Sequence, residues 1–150
     1  MKKLSVFAVL FLIAVVSPAW AMEPIQTQMS TDGNFDVSLL KAKVKGDVLT
    51  VQVMFKNTSS EKRNYGFAFK DIYYTDIKNK KKYYGLKDTE GHYIAGPASN
   101  WLSGGNFNVY VEPGGKAILW IKFPAPPEST ETIDIYIPWA LPFEDVKIER

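Results

Sequence analysis

Apolar and polar residues alternate with a period of two along much of the chain. In the segment DVLTVQVMFKN at 47–57, one side is wholly apolar and consists of Leu49, Val51, Val53 and Phe55. The segments 116–124 and 132–138 repeat this pattern. Their apolar sides are Ala117, Leu119, Ile121 and Phe123 in the first, and Ile133, Ile135 and Ile137 in the second. A period of two is that of a β-strand with one buried face, and no segment shows a sustained helical period. The pattern therefore predicts an all-β protein.

Turn-forming residues separate the alternating segments. Lys-Gly-Asp at 45–47 and Pro-Gly-Gly at 113–115 are two examples, and prolines follow Phe123. Glycine favours turns, and proline cannot donate a hydrogen bond within a sheet. The predicted strands lie at residues 34–44, 47–57, 65–76, 81–87, 106–112, 115–123, 131–138 and 144–149. Seven or eight short strands at this spacing are typical of an antiparallel β-sandwich or barrel.

The first 21 residues have the three parts of a secretory signal peptide. A cationic start with Lys2 and Lys3 precedes an apolar run at 4–16, and the small residues Ala19 and Ala21 follow. The apolar run is shorter than the roughly 20 residues that a spanning helix needs. We therefore predict cleavage after Ala21 and export to a periplasmic or secreted location in a bacterium.

The remainder is predicted to consist of a leader and one domain. Residues 22–32 are polar and without pattern, which indicates a flexible leader or, at most, an edge segment. Residues 33–150 carry the alternating segments and are predicted to form the domain. The chain has no cysteine, but a domain of this size can bury enough apolar surface without disulfides. No integral membrane segment is expected after signal removal, and the mature protein is expected to be a monomer.

The charge of the mature chain is balanced. Cleavage removes Lys2 and Lys3 from the 18 basic residues and leaves 16, which equals the number of acidic residues. A balanced chain has no global attraction to nucleic acid or to an anionic membrane. Arg63 and Arg150 are the only arginines, whereas nucleic-acid sites favour this residue. Nucleic acid is therefore not expected as a partner.

Four lysines and two tyrosines crowd into residues 78–84. The run lies between two segments of strand composition, so a tight turn near Lys78-Asn79-Lys80, with Asn79 in a left-handed conformation, is the simplest interpretation. Lysines would then keep the hairpin solvated and discourage edge-to-edge pairing. The alternative is an anion-binding patch made of Lys78, Lys80, Lys81, Lys82, Tyr83 and Tyr84. Both interpretations stay open at this point.

A second candidate surface lies at residues 99–110. Aromatic and amide side chains alternate there, and the candidates are Asn100, Trp101, Phe107 and Tyr110. A flat ring beside amides is typical of a sugar-binding face, because the ring packs on the sugar and the amides bond its hydroxyls. The alternative is that Trp101 closes one end of the sandwich. Trp120 and Trp139 are interpreted as structural, with Trp120 on the side of its strand opposite to Leu119.

The sequence offers little support for catalysis or metal binding. His92 is the only histidine, no cysteine accompanies it, and no Gly-x-Ser-x-Gly motif is present. Metal sites commonly use several His and Cys ligands, and serine hydrolases need a nucleophile beside a histidine. We therefore predict no catalytic residue, no metal and no cofactor. A carbohydrate-active enzyme remains the alternative, if the loop carboxylates converge: Asp71, Asp76, Asp88 and Glu90.

Four segments in a fixed order carry a resemblance to a known family. They are VLTVQVMFKNTSS, FAFKDIYYTD, VEPGGKAILWIKFPAP and IDIYIPWALPFEDVKI, which together span most of residues 35–148. The chain resembles the immunoglobulin-like domain family of secreted and periplasmic bacterial proteins that includes a secreted mycobacterial antigen. The resemblance implies an immunoglobulin-like antiparallel β-sandwich and a non-catalytic role, and it assigns no site residues. The expected function is an exported binding module of the cell envelope with a protein or glycan partner; the alternative is a carbohydrate-binding or carbohydrate-active protein.

Overall fold

A computed structural model describes residues 22–100 and 104–150. The predicted signal peptide and Trp101 lie outside these ranges. The described chain contains these elements in order: β1 (Gln26–Met29), β2 (Phe35–Lys45), β3 (Val48–Asn57), β4 (Arg63–Ala68), a 3-10 turn (Phe69–Asp71), β5 (Tyr73–Asp76), β6 (Lys81–Tyr84), β7 (Ala95–Gly96), β8 (Asn106–Val111), β9 (Lys116–Pro124), β10 (Thr132–Tyr136) and β11 (Phe143–Lys147). The prediction of an all-β protein is confirmed.

The first layer is a five-stranded sheet in the order β1-β2-β3-β9-β7, with antiparallel neighbours throughout. Its inward side is the one that the alternating pattern predicted. Val53, for example, is fully buried and lies opposite Leu39 on one neighbouring strand and Leu119 on the other. Trp120 lies on the opposite side of β9, as predicted, and is 37% exposed.

The second layer consists of a four-stranded sheet, β11-β10-β5-β6, and a ribbon of β4 and β8. Aromatic contacts join it to the first layer. Tyr74 of β5 meets Phe123 of β9 edge to face at 5.4 Å, and Phe107 of β8 meets Phe55 of β3 at 5.0 Å. The core thus lies between two antiparallel layers, which is consistent with a β-sandwich.

Three strand predictions differ from the structure. The predicted strand 65–76 is divided, because the 3-10 turn inserts the fully buried Phe69 between β4 and β5. Strand β7 was not predicted. Residues 26–29, within the predicted flexible leader, form the edge strand β1, which corresponds to the alternative of an edge segment. The described residues contain no helix of the length and apolarity that crossing a membrane requires.

Candidate functional site

The lysine–tyrosine run forms the predicted hairpin between β5 and β6. Its left-handed residue is Lys80, with φ of 52°, and not Asn79 as predicted. Asn79 instead donates from its backbone N–H and its side-chain Nδ2 to the carboxylate of Asp76, at 3.1 and 2.7 Å. Asp76 is wholly buried and also accepts a 2.6 Å hydrogen bond from Thr130 Oγ1. This carboxylate therefore serves to hold the turn in place.

The four lysines do not converge on one patch. Lys78 Nζ donates to the backbone oxygen of Ser129 at 2.8 Å, and Lys80 and Lys81 are exposed at the hairpin. Lys82 Nζ instead lies 3.4 Å from the ring centroid of Tyr73 on the outer side of the sheet. Because Lys81 and Lys82 are adjacent in a strand, their side chains leave on opposite sides. The four lysines of this hairpin therefore do not form a single anion-binding site.

Tyr83 and Tyr84 are likewise separated. Tyr83 stacks on the buried ring of Tyr74, with centroids 4.6 Å apart and an angle of 8° between the planes, so one of its faces belongs to the interior. Tyr84 is 48% exposed on the other side and is 5.1 Å from Lys82 Nζ. Strand alternation therefore places the two rings on opposite sides of β6, so at most one of them can lie beside a given lysine of the proposed patch.

The second candidate surface is partly corrected. Phe107 is fully buried between Phe55 and Phe67, so it belongs to the core and not to a binding face. Tyr110, on the opposite side of β8, is 70% exposed. Asn100 is exposed, with φ of 51°, and Trp101 is outside the described residues.

Tyr110 belongs to an amide-lined face on the outer side of the β4–β8 ribbon. Asn64 lies opposite Tyr110, and Gly66 lies opposite Asn108. Asn64 Nδ2 donates to Asn108 Oδ1 at 2.6 Å, which ties the two amides together. A Cβ on Gly66 would lie 2.9 Å from Asn108 Oδ1 and 3.3 Å from Asn64 Oδ1. Glycine at 66 therefore keeps space for this amide pair.

Trp139 stands beside this face, three residues after the end of β10. Its side chain is 63% exposed, yet its backbone adopts a left-handed φ of 65°. Such a conformation is an outlier for a bulky residue and costs about 1–3 kcal/mol. The indole Nε1 donates to the backbone oxygen of Gly66 at 3.1 Å. The ring is thus exposed but fixed in direction.

Two further hydrogen bonds hold the backbone on which the indole sits. Thr31 N–H donates to the oxygen of Trp139 at 2.7 Å, and the hydroxyl of Tyr65 donates to the oxygen of Pro138 at 3.0 Å. Tyr65 is buried, and burial raises the pKa of its hydroxyl far above the ordinary value. The hydroxyl therefore stays protonated and remains a donor at every physiological pH.

A cavity of about 240 Å³ opens between the indole and the ribbon, lined by Asp32, Asn64, Tyr65, Gly66 and Trp139. The carboxylate of Asp32 accepts hydrogen bonds from Ser30 Oγ at 2.6 Å and from Asn34 N–H at 3.0 Å. The Ser30 bond is the main reason that the pKa of Asp32 lies below its usual value, although partial burial opposes it. Asp32 is therefore an ionised acceptor at neutral pH.

These groups together suit the chemistry of a sugar ring. The exposed indole offers an apolar surface to the C–H groups of a pyranose, while the Asp32 carboxylate and the Asn64 amide can bond its hydroxyls. A cavity with a ring wall and a few placed polar groups is the general form of a small-molecule site.

A separate cluster at residues 88–92 brings together two carboxylates and the histidine. Three potential ligand atoms, one from each of Asp88, Glu90 and His92, lie within 4.8 Å of one another. This spacing could hold a metal ion. The Asp88 carboxylate also accepts the backbone N–H of Glu90 and of His92, each at 2.9 Å. These two hydrogen bonds close the loop at residues 88–92, and this closure explains why the three side chains lie close together.

No protein-family model, curated protein or solved structure matches the chain. The fold itself defines the class as an all-β protein of antiparallel sheets.

Sequence reasoning missed the principal residues of this cavity. Trp139 was interpreted as structural, and Asn64, Gly66 and Asp32 were not considered as site residues. One signal was present: Trp139 lies between Pro138 and Pro142, beyond the last residue of an alternating segment. A tryptophan in such a connection lacks the strand pattern that would assign it to the core.

Proposed function

We propose that the chain is an exported, non-catalytic binding module that holds a saccharide against the indole of Trp139. The observation that carries the proposal is the combination of exposure and constraint at this residue. An indole that served only the core would be buried, whereas this ring is 63% exposed. It is nevertheless held by a hydrogen bond to Gly66 and by a left-handed backbone.

Constraint of this kind favours ligand binding. Binding normally costs about 0.5–1.5 kcal/mol for each flexible side chain that must be ordered. The hydrogen bonds of Trp139 to Gly66 and Thr31 already order this side chain in the free protein, so binding need not order it again. Backbone strain of this size is typically retained where the surroundings hold it and where it has a use, such as a preorganised binding ring.

The polar residues of the cavity support a neutral, hydroxyl-rich ligand. Asp32 supplies an ionised acceptor. Asn64 supplies an amide of fixed orientation, because its Nδ2 donates to Asn108 Oδ1 and to the backbone oxygen of Val109. Tyr110 extends the face with a second exposed ring along the same ribbon. A chain of sugar units could therefore continue from the cavity across the amide pair towards Tyr110.

The non-catalytic part of the proposal rests on the carboxylates. Hydrolysis of a glycosidic bond usually needs two carboxyl groups facing one another across the bond. Asp32 is the one carboxylate among the residues that line the cavity. Asp76 is buried in the hairpin network, and Glu90 lies in the loop with Asp88 and His92. Export and the immunoglobulin-like family remain part of the proposal, supported by residues 1–21 and by the four family-like segments.

The proposal is tested by titrating the processed chain, residues 22–150, with a panel of methyl glycosides and short oligosaccharides of glucose, galactose, mannose and N-acetylglucosamine. Isothermal calorimetry is expected to detect at least one ligand in the panel. Trp139→Ala should weaken that ligand by at least tenfold. Trp120→Ala is the matched control, because Trp120 is a partly exposed tryptophan of the other layer, and it should bind normally. Failure of every saccharide, or equal binding by Trp139→Ala, would overturn the proposal.

A further inference from the structure

Lysines cover the outer side of the five-stranded sheet. Strand alternation places six of them there, on three neighbouring strands: Lys41, Lys43, Lys45, Lys56, Lys116 and Lys122. We call this surface the lysine face. The other side of the same three strands faces the core and is apolar. Val51 and Ile121, for example, are fully buried there. The mature chain is balanced in charge, so the concentration of lysine on one side is a local property of this sheet.

Two lysines of this face are direct cross-strand neighbours, which is an unfavourable arrangement in a sheet. Lys56 of β3 lies directly opposite Lys116 of β9, and like charges in that relationship destabilise a sheet. Asp36 lies opposite Lys56 from the other side, and Glu149 forms an ion pair with Lys43. Within residues 22–100 and 104–150, the other lysines of the face have no ion pair. The face therefore carries six lysines against the two acidic side chains of Asp36 and Glu149, and its net charge is positive.

The centre of the lysine face carries apolar side chains beside the polar Gln52 and Ser38. Met54 and Ile118 are cross-strand neighbours, and Ile118 is 47% exposed. Trp120, in the next row, lies against β7, where a Cβ on Gly96 would be only 2.9 Å from the indole. Glycine at 96 thus allows the indole to pack closely against the backbone of β7. The exposed isoleucine and the partly exposed indole thus lie between Lys116 and Lys122 along β9.

We propose that the lysine face docks on an anionic phospholipid surface. Anionic headgroups would meet the lysines, and each lysine close to such a surface strengthens binding by about fivefold. Indole rings favour the interface between water and lipid, and Ile118 would add apolar contact beside Trp120. A soluble polyanion would meet the same lysines but would gain nothing from the apolar side chains. The two apolar side chains therefore favour a membrane surface over a polyanion.

This docking would leave the saccharide cavity open. Gly66 and Asn64, which line that cavity, belong to β4 in the second layer. The lysine face belongs to the first layer and is directed away from it. None of the six lysines of the face is among the residues that line the cavity. The proposal is independent of what Trp139 binds, since it rests on different residues.

Co-sedimentation with vesicles tests the proposal on the processed chain. Vesicles of phosphatidylcholine with 30% phosphatidylglycerol should bind the protein, vesicles of pure phosphatidylcholine should not, and 0.5 M NaCl should release it. The double variant Lys56→Glu/Lys116→Glu should bind at least tenfold more weakly. The matched control is Lys80→Glu/Lys81→Glu, which makes the same change of four charge units at the exposed hairpin. It should bind within about twofold of the unsubstituted protein. Equal loss in both double variants would overturn the proposal.

A second arm distinguishes lipid from a polyanion and guards against misfolding. Ile118→Ser should weaken vesicle binding by at least threefold and leave binding to dextran sulfate unchanged, because it alters no charge. Each variant is first checked for a cooperative thermal transition. Tryptophan fluorescence should shift to the blue on anionic vesicles, and the shift should be lost in Trp120→Phe. Unchanged vesicle binding by Ile118→Ser, with tight binding of dextran sulfate, would show a polyanion site and overturn the membrane proposal.

Discussion

The indole Nε1 of Trp139 donates a 3.1 Å hydrogen bond to the backbone oxygen of Gly66, 73 residues earlier in the chain. The bond joins the connection after β10 to strand β4. It also sets the direction of an exposed ring at the mouth of the cavity that Asp32 and Asn64 line. Its removal should therefore affect binding more than it affects the fold.

Trp139→Phe keeps an aromatic ring but removes the donor. A net hydrogen bond contributes about 0.5–1.5 kcal/mol, so the free energy of unfolding should fall by about 1 kcal/mol or less at this exposed site. Saccharide binding should weaken several-fold, because the ring is no longer fixed, and should be weaker still in Trp139→Ala. Urea denaturation and calorimetric titration measure the two effects. Full affinity in Trp139→Phe would show that the bond to Gly66 has no part in binding.

Gly66→Ala tests the space that glycine keeps for the amide pair. The new Cβ would approach Asn108 Oδ1 to 2.9 Å and Asn64 Oδ1 to 3.3 Å, so both amides must move. Side-chain ends can move at low cost, and alanine restricts the unfolded chain, so stability should change by less than about 1 kcal/mol. Saccharide affinity should fall at least fivefold.

Gly91→Ala is the control for Gly66→Ala. Its φ of 88° disfavours alanine, although nothing lies within 4 Å of the new Cβ. This variant should lose more stability than Gly66→Ala and keep its saccharide affinity. The reverse order of affinities would contradict the role given to Gly66.

Val53→Asp tests the inward face of the first layer. Val53 is fully buried between Leu39 and Leu119, and an unpaired buried charge costs several kcal/mol, comparable to the roughly 5–15 kcal/mol that holds a domain together. The variant should show no cooperative thermal transition. Lys81→Ala, at an exposed position, should change the melting temperature by less than about 2 °C. A soluble Val53→Asp protein that melts cooperatively would be evidence against the assignment of the core.

Asp76 should make stability depend on pH. Burial raises the pKa of this carboxyl, but hydrogen bonds from Thr130 and Asn79 outweigh burial and hold the pKa below its usual 3.8. A group whose pKa is lower in the folded state stabilises the fold above its unfolded pKa, and that contribution is lost as pH falls through the folded pKa. Asp76→Asn should therefore cost about 1–3 kcal/mol at pH 7.

The cost of Asp76→Asn should shrink as pH falls below about 4. Urea denaturation between pH 7 and pH 2.5 measures it, with the exposed Asp71→Asn as control. The other groups with lowered pKa titrate in both proteins and cancel in the difference. A cost of Asp76→Asn that stays constant across this range would contradict the ionised hairpin network.

The inward faces of the long strands could be predicted because burial of one side imposes a period of two. Phe55 and Ile135 are fully buried for this reason. Strand β1, with the sequence QTQM, has no apolar side to reveal it. Strand β7 has two residues, too few for any period, and is placed by its pairing with Ile121 and Trp120.

The candidate site could be predicted only in part. Tyr110 and the amides of β8 were visible in the sequence, since they share one short segment. Phe107 was predicted to lie with them. It lies instead in the core, because alternation along β8 puts it on the side of the strand opposite to Tyr110. Gly66 and Trp139 meet only because the second layer brings β4 beside the chain after β10. No local pattern connects two positions so far apart.

The most direct measurement observes the indole N–H of Trp139 by ¹H–¹⁵N NMR during titration with the saccharide that binds most tightly in the panel. Its cross-peak should shift with the same dissociation constant that calorimetry gives, while the indole cross-peak of Trp120 stays in place. A cross-peak of Trp139 that does not move while the saccharide binds would contradict the account.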